Sequence, residues 1–180
     1  MQPTTEIKII FHFTTQQTPL GRMTLVAKNG ILCGLYNEAQ RHWPEDSGSW
    51  TRDDSSIFDP AKDWLAHYFS GKACVFPGFT FAHGTKFQKQ VWDALLDIPC
   101  GQTISYGELA ARIGSPRAVR ALGAAVGRNP ISIIVPCHRV LGANGALTGY
   151  AGGLEKKQWL LAHETRWAGR PSPMTNLNFA

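Results

Sequence analysis

The most reactive grouping in this 180-residue chain is Pro136-Cys137-His138-Arg139. Cysteine is the strongest side-chain nucleophile once ionised, and an adjacent histidine and arginine can stabilise the thiolate. The preceding Ile131-Ser132-Ile133-Ile134-Val135 is apolar and β-prone, which predicts a buried strand with the cysteine just after it. Neighbouring side chains in an extended segment point opposite ways, so His138 is expected to meet Cys137 through a water or a bend. A third group must orient the imidazole. Glu164 is the candidate: it shares a helical stripe with Leu154, Lys157 and Leu161, and a buried carboxylate needs a partner. A Cys-His dipeptide alone also fits a structural cysteine beside an ordinary histidine. Cys33, Cys74 and Cys100 are read that way, as scattered free thiols with no zinc-ligand spacing.

A second chemical signal is the helix expected over 116–127. At about 100° per residue, Val119, Leu122 and Val126 share a face suited to burial. Arg117, Arg120, Ala121, Ala124 and Arg128 gather on the other side. Cations among nearly absent side chains suit close approach to a flat polyanion. Ala121 and Ala124 offer little with which to read base edges, so a sequence-indifferent contact, in the narrower minor groove, fits better than major-groove reading. The plain alternative is a surface face on which alanine merely favours helix.

The elements that must position these groups follow from pattern. Ile7, Ile9, Phe11 and Phe13 alternate with Lys8, Ile10 and His12, and Asn29-Gly30 joins two further β-like runs. Residues 37–58 lack a period and read as loop. Asp59-Pro60 reads as a cap and first-turn proline before a helix with Trp64, Leu65, Tyr68 and Phe69 on its apolar stripe. Beyond residue 84 the pattern turns helical. Thr85 and Gln88 form one capping box, and Ser105 and Glu108 another. The second starts a short helix that ends at Gly114, with the next helix beginning at Ser115-Pro116, which is a helix-turn-helix unit. A last helix is expected over 154–164.

The fold class is therefore α+β: a small N-terminal lobe (1–83) with antiparallel sheet and helix, a mainly helical C-terminal lobe (84–168) containing the helix-turn-helix, and a tail (169–180). Charge is divided unevenly. Residues 1–83 carry net −1, whereas 84–180 carry net +6, so the second half is the one expected to meet a polyanion. No apolar run has the length of a membrane span, and the N-terminus lacks a signal-peptide pattern. A cytoplasmic protein without membrane contact is expected.

Taken together, Ile134-Val135-Pro136-Cys137-His138-Arg139-Val140, the Ser105-Tyr106-Gly107 helix start, the 118–127 helix, Arg128-Asn129-Pro130, the Gly149-Tyr150-Ala151-Gly152-Gly153 loop and Leu160-Leu161-Ala162-His163-Glu164 resemble the O6-alkylguanine-DNA alkyltransferases, also called methylated-DNA–protein-cysteine methyltransferases. The resemblance runs over about 85–164. It implies direct repair of double-stranded DNA, in which Cys137 irreversibly takes the alkyl group from O6-alkylguanine, and from O4-alkylthymine, once per molecule. It further implies that His138 activates Cys137 through water, that Glu164 holds His138, and that Asn129 braces the active-site turn. Arg120 takes the place of the extruded nucleotide, while Ser105, Arg117, Ala121, Ala124 and Arg128 join it on DNA. Tyr106 donates to a purine ring nitrogen, the Cys137 and Val140 carbonyls hold the exocyclic amine, Tyr150 walls the pocket, and the backbone near Ala151 meets the oxygen. Some relatives carry serine where Ala151 stands, so a backbone donor survives here without the hydroxyl. No cofactor or metal is implied, since no ligand set matches the N-terminal zinc site of some relatives, and the protein is expected to act as a monomer. Two rivals stay open: a cysteine hydrolase using Cys137, His138 and Glu164, and a non-catalytic module that binds alkylation damage or regulates transcription.

Overall fold

The computed structural model describes residues 10–72, 76 and 78–166. The expectations for Ile7, Lys8, Ile9, Cys74 and the tail lie outside these residues. Three strands, β1 (Phe11–Thr18), β2 (Gly21–Lys28) and β3 (Ile31–Asn37), form an antiparallel meander. The β2–β3 turn is Asn29-Gly30, both with positive φ (51° and 77°), as a type I′ turn demands. The stretch read as loop carries two short 3-10 turns and a two-residue strand, β4 (Thr51–Arg52), which pairs parallel to β1. The sheet order is β3-β2-β1-β4. Next comes α1 (Asp59–Phe69). Phe58, not Asp59, occupies its cap position; Asp59 is the first helical residue, where its charge still favours the positive helix end.

The second half contains α2 (Lys86–Leu96), β5 (Ile104–Ser105), α3 (Tyr106–Arg112), α4 (Val119–Gly127), β6 (Val140–Leu141) and α5 (Leu154–Thr165). Both expected capping boxes close, with side chain and backbone bonded reciprocally at Thr85/Gln88 and at Ser105/Glu108. The helix-turn-helix is α3 and α4, but α4 begins three residues later than the sequence suggests. The Ala118 N–H bonds back to the Ser115 carbonyl at 2.9 Å, closing a turn that leaves Arg117 outside the helix. Its buried face is Leu122, Ala125 and Val126; Val119, expected inward, is 39% exposed.

The larger correction concerns 131–135, which is no strand. Ile133 has φ +71°, the Val135 N–H reaches the Ile131 carbonyl and the Ile134 N–H reaches Ser132. The run is apolar because all five residues are buried in a tight turn. That turn is pinned to the sheet: Leu35 N–H donates to the Pro130 carbonyl and Ser132 N–H to the Leu35 carbonyl, each at 2.9 Å. One apolar core runs from Met23, Leu25 and Leu35 through Leu65 to Val91, Leu95, Leu122 and Leu160, unbroken at the expected boundary near residue 83. No helix among the described residues is long and apolar enough to cross a membrane.

The Trp92 indole N–H donates to the Ala125 carbonyl at 2.9 Å and is buried, tying α2 to the end of α4. Trp92→Phe removes that bond, leaving the carbonyl only the Arg128 N–H at 3.1 Å, and underfills the indole's site. A loss of about 2 kcal/mol in urea-unfolding free energy is expected, and an unchanged midpoint would show that the tie is idle.

Candidate active site and nucleic-acid face

Cys137, His138 and Arg139 form a single 3-10 turn between Pro136 and β6, and all three are buried. This is the bend the sequence left open. Asn129 builds the floor beneath it. Its amide nitrogen donates to the Val135 carbonyl at 2.8 Å and to Ile131 at 3.4 Å, while its oxygen accepts from the Ile131 N–H at 3.0 Å. These bonds explain why a β-branched residue, Ile133, is kept in the left-handed region.

Glu164, on α5, is wholly buried and sits at the centre of the polar network. Its Oε1 lies 2.8 Å from His138 Nε2 and accepts from the Tyr68 hydroxyl at 2.8 Å. Arg139 donates bidentately, Nη2 to Oε1 at 2.8 Å and Nε to Oε2 at 2.9 Å, and its third nitrogen reaches the Ile98 carbonyl at 2.5 Å. The Gly101 N–H also donates to Oε2 at 3.1 Å. Burial alone would raise the Glu164 carboxyl pKa, but His138 and Arg139 together outweigh it and hold the group far below the ordinary carboxylate range. The buried stripe of α5 is Lys157, Leu160 and Glu164; Leu154 is exposed.

An ionised Glu164 can only accept, so His138 must carry its proton on Nε2. Its Nδ1 then bears a lone pair and has no protein partner among the described residues. Burial lowers the His138 pKa below 6.5, with Glu164 opposing, so the ring is neutral at neutral pH. Burial also raises the Cys137 pKa above 9.0, against a contact from the Asn129 side chain and the charge of Lys157. The resting pair is therefore thiol and imidazole, with the proton still to be moved. Cys33 and Cys100 are pushed up to about 12, chiefly by burial, which makes them poor nucleophiles.

Lys157 is a group the sequence reading passed over. It is buried, and its ammonium donates to the carbonyls of Val140 (2.6 Å), Thr148 (2.7 Å) and Gly149 (3.3 Å). Burial brings its pKa down to about 8, with Cys137 opposing, so it remains cationic at neutral pH. The Val140 carbonyl, expected to face substrate, thus already accepts one bond. A lysine seven residues before Glu164, in register with the apolar stripe, was the available signal. Tyr68 gave none, since a Tyr on the α1 stripe reads as core.

Tyr106 opens α3 half-buried, its hydroxyl 3.5 Å from the Gly149 carbonyl. Burial raises the pKa of its phenol, so it stays protonated and able to donate. Ser105, Tyr106, Gly107, Val119, Arg120 and Gly123 line a cleft of about 430 Å³. Arg117, Arg120, Ala121, Ala124 and Arg128 are all exposed, although only Arg120, Ala121 and Ala124 belong to α4. Tyr150 is buried, and Ala151, beside it, accepts a backbone bond from the Arg41 N–H at 3.0 Å. A larger cleft of about 630 Å³, lined by Tyr36, Trp43, Trp50, His83 and Arg128 among others, holds none of the Cys137 network. The smaller cleft is not lined by Cys137, His138 or Glu164 either, but Tyr106 and Arg120 stand on its wall.

Residues 86–166 match a family model described as the DNA-binding domain of 6-O-methylguanine DNA methyltransferase. A methylated-DNA–protein-cysteine methyltransferase of Mycobacterium tuberculosis is 45% identical over 161 residues, covering 86% of this chain and 93% of that relative. One from Salmonella typhimurium is 60% identical over 103 residues, 57% of this chain and 60% of its own. The solved structure of Mycobacterium tuberculosis O6-methylguanine methyltransferase superposes with a TM-score of 0.81 at 44% identity, covering 90% of this chain and 97% of that one. Mycobacterium tuberculosis OGT in complex with DNA gives 0.79 at 44% identity over 91% and 96%.

Glu164→Gln strands the buried Arg139 guanidinium and should cost about 3 kcal/mol in urea unfolding at pH 7. Because the folded carboxyl lies below its unfolded value, its stabilisation is complete above about pH 4.3 and is lost as pH falls further. Between pH 5 and 3 the native protein should therefore lose stability more steeply than the variant. Parallel slopes would contradict the ionised assignment.

Proposed function

This chain belongs to the methylated-DNA–protein-cysteine methyltransferase family, and we propose that it repairs duplex DNA by taking the alkyl group of O6-alkylguanine, and of O4-alkylthymine, onto Cys137, one group per molecule. It acts as a cytoplasmic monomer. The observation that carries the reading is the buried thiol beside an imidazole whose Nε2 is fixed on Glu164 and whose Nδ1 is free to take a proton.

The damaged oxygen lies inside a stacked pair, so the nucleotide must leave the helix before sulfur can reach it. Arg120, exposed on α4 beside the Tyr106 cleft, fills the gap, and Ala121 and Ala124 allow the backbone to approach. Ser105, Arg117 and Arg128 meet phosphate, with Arg117 contributing from the turn before the helix. The Cys137 proton passes through water to His138 Nδ1, and Glu164 stabilises the imidazolium. Sulfur then attacks the alkyl carbon: the S–C bond forms as the C–O6 bond breaks, and its electron pair goes to the purine. Tyr106 donates to a ring nitrogen and quenches that charge. Overall, the thiol proton replaces the alkyl group on guanine. The Cys137 and Val140 carbonyls hold the exocyclic amine, Tyr150 walls the pocket, and the Ala151 backbone meets O6. The thioether has no labile bond and nothing in the site cleaves it, so turnover stops at one.

Intact-mass measurement after mixing with duplex DNA carrying O6-methylguanine should show one added methyl, mapping to Cys137. Cys137→Ala should bind this DNA without gaining mass. Repeated turnover, or binding by unmodified wild type, would favour a hydrolase or a binding-only module respectively.

Arg120→Ala should slow transfer from duplex about tenfold or more while affecting a free alkylguanine base little. Undiminished duplex repair would remove Arg120 from the finger role. The rate should hold down to about pH 6.5 and fall only below it, because His138 stays neutral to below its ordinary value.

A further inference from the structure

The N-terminal lobe reaches the reactive centre through Asn37, the last residue of β3. Asn37 is fully buried, yet neither its amide nitrogen nor its oxygen has a hydrogen-bond partner among the described residues, and the same is true of the Tyr150 hydroxyl. Buried polar atoms left this way are rare, because each forfeits the bonds it made with water. Their placement is not loose. The Asn37 N–H donates to Gln40 Oε1 at 2.8 Å, the Gln40 N–H returns to the Asn37 carbonyl at 3.3 Å, and the Arg41 N–H holds the Ala151 carbonyl at 3.0 Å. The Asn37 carboxamide lies directly on the glycine-rich loop. A Cβ on Gly152 would fall 2.9 Å from Asn37 Nδ2 and 2.9 Å from the Tyr150 ring.

Three polar groups from three parts of the chain thus meet around Tyr150: the Asn37 amide against the glycine-rich loop, the Tyr150 hydroxyl, and buried Ser132 from the turn before Cys137. The Asn37 and Ser132 side chains both stand near enough to the Tyr150 hydroxyl to ease its ionisation, and the Cys137 charge is felt there too. Burial nonetheless keeps the phenol protonated, so it is a donor.

We propose that Asn37, with Tyr150 and Ser132, forms a polar end to the cleft that receives the alkyl group, so that alkyl groups ending in a hydroxyl are transferred in preference to hydrocarbons of equal length. A terminal hydroxyl can donate to Asn37 Oδ1 and accept from Asn37 Nδ2 or from Tyr150, satisfying atoms that a methyl terminus leaves bare. A site with hydrogen-bonding groups discriminates against the analogue lacking the hydroxyl because its own polar atoms then stay unpaired. This assignment rests on the alkyl-acceptor reading of Cys137 and adds to it a substrate class and a residue from the other lobe.

The test compares duplexes containing one O6-(2-hydroxyethyl)guanine or one O6-n-propylguanine, which match in length, with an O6-methylguanine duplex as reference. Mass gain on Cys137 is followed over time in the full chain. Wild type should take the hydroxyethyl group about tenfold faster than propyl, equivalent to about 1.4 kcal/mol. Asn37→Leu, close to isosteric but apolar, should bring that ratio to about one. Ser132→Ala should lower it and serves as a second variant should Asn37→Leu fail to fold. Because the ratio compares two substrates on one protein, general damage cancels. A wild-type ratio near one with methyl transfer intact, or a ratio unchanged in a folded Asn37→Leu, overturns the polar-end assignment alone. Failure of all three duplexes to add mass to Cys137 overturns the acceptor reading beneath it.

Discussion

One carboxylate organises the reactive half of this molecule. Glu164 takes bonds from His138, Arg139, Tyr68 and the Gly101 backbone, so elements from α1 to α5 meet at two oxygen atoms. A buried charge on this scale survives only when it is paired and its remaining lone pairs are filled. Here the bidentate Arg139 supplies the charge and the other donors fill the rest. The arrangement has a chemical consequence. At rest the site holds two cations, Arg139 and Lys157, and one anion, with Cys137 and His138 neutral. Moving the thiol proton to His138 creates a thiolate and an imidazolium together, so the net buried charge does not change. In the proposed reaction, the step that would be most costly in a dry interior, ionising a thiol alone, is replaced by an internal proton transfer whose products each face an opposite charge.

The same network explains why the reactive turn can be strained. A β-branched residue at positive φ is an outlier that a loose loop would relax away. Ile133 keeps it because both flanks are fixed: Leu35 holds the turn to β3 on one side, and Asn129 ties it from within. The cysteine therefore sits on a platform set by the sheet and read by the helices. The N-terminal half is part of that platform. Its strands position the turn, and its loop at 37–41 touches the glycine-rich segment.

Much of this was legible in sequence, for identifiable reasons. Capping boxes are local signals with a fixed three-residue spacing, so Thr85/Gln88 and Ser105/Glu108 marked their helices correctly, and Asn29-Gly30 marked its hairpin. The errors share a cause. The run at 131–135 read as strand because hydrophobicity reports burial and says nothing of whether backbone bonds run to a neighbouring strand or close on themselves. Val119 read as buried because the helix was started at Pro116, and a later start leaves that residue on the open first turn. Leu154 was taken as inward on the stripe that was meant to identify Glu164, whereas Leu160 holds that place. Long-range polar pairings were the least visible. Arg139 was read as a partner for the thiolate, and nothing near Tyr68 or Lys157 in sequence announces a carboxylate or carbonyls 96 or 8 to 17 positions away.

Burial also bears on selectivity. Cys137 is only 4% exposed and its pKa is held above the ordinary thiol value, so it is a weak nucleophile toward anything in bulk water. The reaction proposed above requires a partner that can enter the site, expel water and accept a donor such as Tyr106 at the right ring edge. A planar base swung out of a duplex meets those conditions, because its flat faces fit beside small residues and its leaving oxygen arrives with a ring nitrogen to be quenched. A small electrophile in solution brings no such nitrogen. Discrimination therefore does not need a finely tuned thiol. In the proposed reaction it follows from keeping a weakly nucleophilic thiol where an alkylated purine must complete the charge arrangement, and that places the burden of choosing duplex DNA on the exposed helix and loop rather than on the cysteine.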